Sequence, residues 1–456
     1  MKHQKKYNQC EKSIDCEVCK NNSECNAWTR FVTEHEKVKA YVHFGKRVSL
    51  AQRSVREYVL NTTKIAQHSF YPFIHFQKKS SCYGRKERKK IRELYYCSHL
   101  DRCVYQRYAF LLNRKYDEWL LEHDLNETVI AYRDSLGKNN INFAGEAFNG
   151  ISRMGKAFVI VGDFTNFFDN IRHLYLKKML CTLLNVKYLP NDWYAIFKNI
   201  TRFSSWDWKE IVFASGEKIC ERGLRKKLNV KNVILTKKQF CQYKKEINKH
   251  KADIGIPQGS PISAVLANVY MMEFDKGLHE YAAKNKGMYM RYSDDFILIL
   301  PYKDNRIDLY KEFLFSYVET RKDLVQLQEE KTDVYIYDTD KIEEYPGKDT
   351  SYIDYLGFIF DGKTIKLRPR SITKYYYRMR RKAYNIIKRQ GVSPNGSKIT
   401  AERLYSLYGK SKPDGDPTFV DYAIRARKIL DLKDPEADAL IKGHKQKIAH
   451  ILKKLR

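Results

Sequence analysis

The stretch from Tyr289 to Leu300, Tyr-Met-Arg-Tyr-Ser-Asp-Asp-Phe-Ile-Leu-Ile-Leu, constrains this chain more than any other. Two adjacent carboxylates, Asp294 and Asp295, interrupt an otherwise apolar and aromatic segment. The flanks read as two buried strands, with Ser293, Asp294 and Asp295 as the turn between them. Acids beside so much apolar surface are costly unless a positive charge meets them. The only cation close by in sequence is Arg291. A divalent ion such as magnesium is the natural counter-charge, since hard cations take oxygen ligands. A two-metal phosphoryl-transfer site needs at least one more carboxylate from elsewhere. The plainer alternative is an Asp-rich hairpin turn with solvated acids.

Charge narrows the partner class. Among 456 residues, 85 Lys and Arg stand against 54 Asp and Glu, a formal excess of +31 spread along the chain. A folded protein this basic favours a polyanion, nucleic acid first and a membrane surface second. The 34 Tyr and 23 Phe add rings on which bases stack. No run of 18 apolar residues exists, so no membrane span is expected. The basic N-terminus lacks the apolar core of a secretory signal, so a cytoplasmic location is expected, and the ten Cys are expected as thiols or metal ligands. Cys10, Cys16, Cys19 and Cys25 either hold a tetrahedral zinc ion or stand as unligated thiols.

Taken in order, residues 36–125 read as mainly helical. The basic run Lys78 to Lys90 is either a loop near phosphate or a solvated charge run. A short apolar strand from Val129 ends in Tyr132 and Arg133, then a turn carries Lys138; both cations are candidates to reach a triphosphate. A strand from Ala157 to Val161 delivers Asp163 to its end, followed by Phe164, Phe167, Phe168 and Asp169. Asp169 or Asn170 is a possible cap for the next helix. Residues 200–253, with Trp206 and Trp208, read as an irregular insertion with an RNA-facing surface. Breaker-rich Gly-Ile-Pro-Gln-Gly then precedes a helix to about Tyr281, with Ser260 at its N-cap and Pro261 at its first position. A helix over 306–325, a strand near 333–337 and a hairpin about Asp361 and Gly362 follow. The tail from Pro369 is helical and basic. Its densest aromatic-basic tract, Lys374 to Lys382, either lines a nucleic-acid groove or packs on the preceding domain.

The order of these pieces resembles the palm of bacterial reverse transcriptases: Asp163-Phe-x-x-Phe-Phe-Asp169, then Pro257-Gln-Gly-Ser-Pro261, Tyr292-x-Asp-Asp295, Glu330-Lys-Thr332 and Leu356-Gly-Phe358. The likeness runs from about Tyr132 to Leu367. The helical N-terminus and basic tail look like those of defence-associated and abortive-infection enzymes. The resemblance implies an α+β right-hand fold. It divides into a Cys-rich segment (1–35), a helical N-terminal region with fingers (36–156), a palm (157–367) with an insertion at about 200–253, and a basic helical thumb (368–456).

It also implies an RNA-directed DNA polymerase in bacterial antiphage defence, with a dedicated noncoding RNA as template and dNTPs as substrates, as a monomer or homo-oligomer. Untemplated or protein-primed DNA synthesis by the same palm is the alternative. Two Mg²⁺ ions would be held by Asp163, Asp294, Asp295 and the Phe164 carbonyl. Phe168 matches the position of a bulky side chain that excludes a 2′-hydroxyl. Gln258 and Gly259 would contact the incoming nucleotide, and Lys331 matches a proposed proton donor to pyrophosphate or is a surface lysine. Leu356, Gly357 and Phe358 match the primer grip.

Overall fold

The computed structural model describes residues 22–38, 40–79, 91–219, 224–303, 306–345, 352–388, 390, 401–413 and 415–454. Cys10, Cys16, Cys19, the side chain of Cys25 and most of the basic run 78–90 lie outside these residues, and with them the zinc expectation. The chain forms two compact units, Met1–Glu122 with Phe168–Met272, and His123–Phe167 with Glu273–Arg456. No helix among the described residues is long and apolar enough to cross a membrane.

In the first unit, α1 (Asn22–Glu34), α2 (Arg53–Leu60) and α3 (Thr62–Ala66) precede β1 (Phe73–Lys79), β2 (Ile91–Tyr96) and the long α4 (His99–Glu122). After residue 168 come α6 (His173–Leu183), α7 (Asn191–Thr201), β4 (Ser204–Asp207), α8 (Trp208–Ala214), α9 (Leu224–Val230), α10 (Lys237–Tyr243), β5 (Asn248–Lys249) and α11 (Ser263–Tyr270). The strands form one sheet in the order β2-β1-β4-β5. Two expectations change here. Residues 36–125 are not mainly helical, because β1 and β2 pair antiparallel within them, Ile74 opposite Tyr96. Their hydrophobic pattern is masked by outward His75, Gln77 and Lys78, and β1 finds its other neighbour, β4, far along the chain. Nor is 200–253 irregular or RNA-facing throughout. Trp206 is fully buried, in a core shared with Phe44, Ile74, Ile211 and Leu228. The short helices α8 and α9 bury only two or three apolar residues each and α10 none fully, so no long period shows in the sequence.

The second unit holds α5 (Asn140–Met154), β3 (Lys156–Asp163) and α12 (Met272–Lys284, past its first residue). Then come β6 (Met288–Tyr292), β7 (Asp295–Pro301), α13 (Ile307–Glu319), β8 (Asp333–Asp338) and β9 (Lys341–Glu344). The chain ends with β10 (Ile353–Tyr355), β11 (Phe358–Phe360), β12 (Ile365–Leu367), α14 (Pro369–Lys388), α15 (Ala401–Tyr408), α16 (Phe419–Leu430) and α17 (Pro435–Lys454). Five strands make an antiparallel sheet, β6-β7-β3-β8-β9, and three more make β10-β11-β12. The centre of the larger sheet is apolar on both faces, since successive side chains point opposite ways. Val159, Ile297 and Ile299 pack with Ala144, Phe148 and Ile151 of α5, while Phe158 meets Tyr310 of α13 with ring centroids 6.1 Å apart. This explains why β3 and β7 read as unbroken apolar runs. α5 starts where Asn139 caps the helix reciprocally with Asn142, and stops at Gly155, whose φ of 69° continues no helix.

One further expectation is corrected at the chain's passage between the units. The helix anticipated from Pro261 starts instead at Ser263 and breaks at Met271. Ile262, not Ser260, holds the N-cap position. Ser263 Oγ donates to the Pro257 carbonyl at 2.7 Å, fixing the Pro-Gln-Gly loop to the helix start.

Candidate active site

β3 and β7 place the first and last acids side by side. Their antiparallel register sets Asp163 directly opposite Asp295. The Phe164 amide donates to the Asp294 carbonyl at 3.0 Å, so the chain leaving β3 is tied to the turn that carries Asp294. On the other side of β3, the Gln328 amide donates to the Asp163 carbonyl at 2.8 Å. That bond brings in Lys331, whose Nζ lies 2.6 Å from Asp163 Oδ2 and 2.6 Å from Gln328 Oε1. The three acids and Lys331, distant in sequence, therefore meet at one end of the sheet.

The hairpin is held in shape from beneath. Tyr292 pairs with Asp295, leaving Ser293 and Asp294 as a two-residue turn. Ser293 has φ 63°, a left-handed backbone that favours glycine and is strained for other residues. Its hydroxyl lies 2.9 Å from the Tyr132 hydroxyl, and Arg291 Nη1 donates to its carbonyl at 2.8 Å. Arg291 is itself fully buried and grips Asp275 of α12 with two bonds, Nε to Oδ1 at 2.8 Å and Nη2 to Oδ2 at 2.6 Å. The Tyr289 hydroxyl donates to the same carboxylate at 3.0 Å. So the one cation near the acids in sequence is committed to Asp275, not to Asp294 or Asp295. Gly162, just before the first acid, is packed so that a Cβ there would sit 2.5 Å from the Phe296 ring.

The electrostatics fit a cation. Asp163 Oδ1 is buried without a hydrogen-bond partner, while Oδ2 is held by the Lys331 ammonium. Asp295 reaches solvent, yet the protein crowded around it desolvates its carboxyl; with the Asp294 and Asp163 charges adding to this, it is pushed up to about 7. Arg368 and Lys331 pull the other way and do not prevail. The orphaned Asp163 oxygen and the crowded Asp295 carboxyl are oxygen donors of the kind a hard divalent cation takes. Among the described residues, no group of three or more His, Cys, Asp or Glu side chains stands in ready metal-ligand geometry.

The other anticipated residues fall as follows. Arg133 is 5% exposed, and its guanidinium donates to the Asn126 and Val129 carbonyls at 2.7 and 2.8 Å and to Asn126 Oδ1 at 2.7 Å. Its donors are committed inside the protein rather than offered to a triphosphate. Lys138 is half-exposed and paired with Glu146 at 2.6 Å. Leu356 and Gly357, at φ 48° and 94°, form the turn between β10 and β11, and Asn140 of α5 donates to the Leu356 carbonyl at 3.0 Å. Phe358 is buried. In the first unit, Phe168 accepts at its carbonyl from the Ile256 amide at 3.0 Å, which lays the Ile254–Pro257 segment along it. The Gln258 carbonyl accepts from the Tyr95 amide at 2.8 Å. Gly259 must be glycine for a local reason: at φ 114°, a Cβ would lie 2.5 Å from the Tyr95 carbonyl. Asp169 and Asn170 do not cap α6, whose N-cap position is Arg172.

Sequence reasoning missed Asp275, Tyr132, Gln328 and Arg368 as supports of this site. Gln328 stands two residues before the Glu330-Lys-Thr332 motif and Tyr132 at the start of the likeness, while Asp275 joins the acids through the fold alone.

A profile described as reverse transcriptase (RNA-dependent DNA polymerase) matches residues 78–360, well over half of the chain. The chain belongs to the reverse transcriptase family. It is thus an RNA-directed DNA polymerase, a nucleotidyltransferase, with the α+β polymerase fold. Among solved structures, apo telomerase from Candida tropicalis truncated from its C-terminal domain is similar at 12% identity and a TM-score of 0.39, over 72% of this chain and 64% of that one. Telomerase from Candida albicans in complex with a TWJ fragment of telomeric RNA is similar at 12% identity and 0.39, over 94% and 69%. The reverse transcriptase chain thus spans about two thirds of the telomerase lengths it matches. No curated protein matches it significantly.

Proposed function

We propose that this reverse transcriptase extends a primer on an RNA template through Asp163, Asp294 and Asp295. The observation that carries the reading is the β3–β7 register, which sets Asp163 opposite Asp295 with one Asp163 oxygen unsatisfied. The three carboxylates and the Phe164 carbonyl would hold two Mg²⁺ ions, which supply charge stabilisation to the attacking and leaving oxygens of an in-line displacement. The chain's own residues do the rest. With the ions bound, Asp295 would stand as a carboxylate and serve as one of their oxygen ligands. Lys331, held by Asp163 and Gln328, carries an ammonium proton toward the departing pyrophosphate. Phe168 excludes the ribonucleotide 2′-hydroxyl, and Gln258 and Gly259 meet the incoming nucleotide. The test is dNTP incorporation on a primed RNA: it should vanish in the Asp294→Ala, Asp295→Ala double variant, and undiminished synthesis there would remove the reading.

The finer biology rests on the motif series and the basic helical tail. We place the enzyme in bacterial antiphage defence, copying a dedicated noncoding RNA. Sequencing RNA and DNA that co-purify with the protein, with and without phage, tests this; a random collection of cellular transcripts would count against it.

Protein-primed synthesis is favoured by one observation. Tyr132 is 42% exposed, and its hydroxyl lies 2.9 Å from Ser293 Oγ, next to Asp294. That oxygen would attack the α-phosphorus of a dNTP, form a tyrosyl phosphodiester, lose its proton and release pyrophosphate. Intact-mass analysis should then find nucleotide attached to the wild-type chain and none on Tyr132→Phe.

A further inference from the structure

Outside the polymerase residues, two hollows lie in the first unit along α6 and α7. One, of about 620 Å³, is lined by Leu174, Lys177, Lys178, Cys181, Lys187 and Tyr188 among others. The second, of about 570 Å³, runs along Tyr194, Lys198 and Arg202 toward Phe70. They meet where Lys177 Nζ sits 5.4 Å over the Tyr194 ring. No carboxylate lines either hollow.

The apolar and aromatic groups on this face are open to solvent to a degree that folding alone does not require. Leu174 is 83% exposed, Tyr188 72% and Tyr194 45%. Lys187 Nζ lies 5.5 Å over the Tyr188 ring, so here too an ammonium and a ring stand together. On α7, Tyr194 and Lys198 stand four residues apart and so share one face, while Arg202, the residue that ends the helix, is paired with Asp253 at 2.6 Å. The sequence reading placed a helix after Asp169 but gave this face no ligand, because neither helix carries a motif.

We propose that this face binds a single-stranded nucleic acid, with phosphates on Lys177, Lys178, Lys187 and Lys198 and bases on the Tyr188 and Tyr194 rings. Alternation of lysines and exposed rings, with the neighbouring Asp253 carboxylate taken up by Arg202 at 2.6 Å, matches a strand that alternates phosphates and flat bases. A double helix hides its base faces and leaves Tyr188 and Tyr194 without partners. A free nucleotide is too short to engage rings on both sides of the Lys177 contact. The proposal rests on the nucleic-acid reading of the family but not on catalysis, since none of these residues touches the three acids.

Cys181 lines the first hollow, and Cys241, exposed in the same unit, serves as a control. The full chain would be alkylated with N-ethylmaleimide, with and without a labelled 12-nucleotide oligo-U or oligo-dT, and each cysteine followed by peptide mass spectrometry. Either strand should slow Cys181 alkylation severalfold and leave Cys241 unchanged. In Lys177→Gln, Lys178→Gln, Lys187→Gln, protection should be lost, and the slope of log affinity against log salt should fall by about 2, from about 0.7 per phosphate contact. Protection by RNA, DNA or both supports the proposal and names the occupant. Protection by neither, or by anionic lipid vesicles alone, overturns it. Primer extension by the same preparations is scored separately, so lost catalysis and an absent strand site give different results.

Discussion

Removing the Asp275 carboxylate should loosen the catalytic hairpin without touching a reacting group. Arg291 and Asp275 are both fully buried and joined by two short hydrogen bonds. In Asp275→Ala the guanidinium stays buried, with the Ser293 carbonyl as the one retained partner of those described above. Breaking a buried pair from one side costs about 3–5 kcal/mol. At 1.4 kcal/mol per factor of ten, that is roughly 10²- to 10³-fold or slightly more in the opening equilibrium. All five tryptophans lie in the first unit, so their fluorescence would not report on β6 and β7. Hydrogen exchange of the peptide spanning Met288–Pro301 does, and its protection should fall by that factor. Incorporation should fall as well, because Arg291 also fixes the carbonyl that precedes Asp294. The double variant Arg291→Met, Asp275→Leu should recover most of the protection, since an apolar pair of similar volume replaces a buried ion pair at little cost. A loss below about tenfold in Asp275→Ala, or a double variant as loose as the single one, would refute the reasoning.

Asp295 carries a pH signature. Its carboxyl keeps its proton up to about 7 in the folded chain, against about 3.9 when unfolded. Between those values the folded state binds more protons, so metal-free stability should fall as pH rises from about 4 to 7 and level off above. Thermal melts of wild type and Asp295→Asn should differ by that slope, and Mg²⁺ binding near pH 6 should release a proton in calorimetry. Lys331→Met should lower the incorporation rate by about 10²- to 10⁴-fold with little change in KM for dNTP if the ammonium donates a proton; a change in KM alone assigns it to binding. Phe168→Ala should raise ribonucleotide use relative to dNTP by about tenfold or more, measured as the ratio of kcat/KM values.

What the sequence showed depended on how local the cause was. Asp294 and Asp295 stood out because carboxylates beside Phe296–Leu300 break a buried pattern, and β3 was legible because both of its faces are covered. Asp163 was found through its spacing to the two phenylalanines, and its place opposite Asp295 came only with the register. β1 and β2 stayed hidden because their outward residues are charged and β1's second partner is β4. Arg133 looked available because cations near turns usually face solvent; here backbone carbonyls of its own loop enclose it. The Arg291–Asp275 pair was invisible, since it joins a strand to a helix and Arg291, beside Asp294 and Asp295 in sequence, pointed to those acids instead.

The fit of Gly162 against the Phe296 ring has a consequence for how such chains vary. A methyl at 162 would need the ring to leave, and the ring also stacks on Phe164, with centroids 5.3 Å apart, beneath the first acid. The residue before one acid and the residue after the other two are therefore not free to drift separately. A library that randomises both positions should recover compensating pairs, a larger residue at 162 with a smaller one at 296, far more often than either change alone.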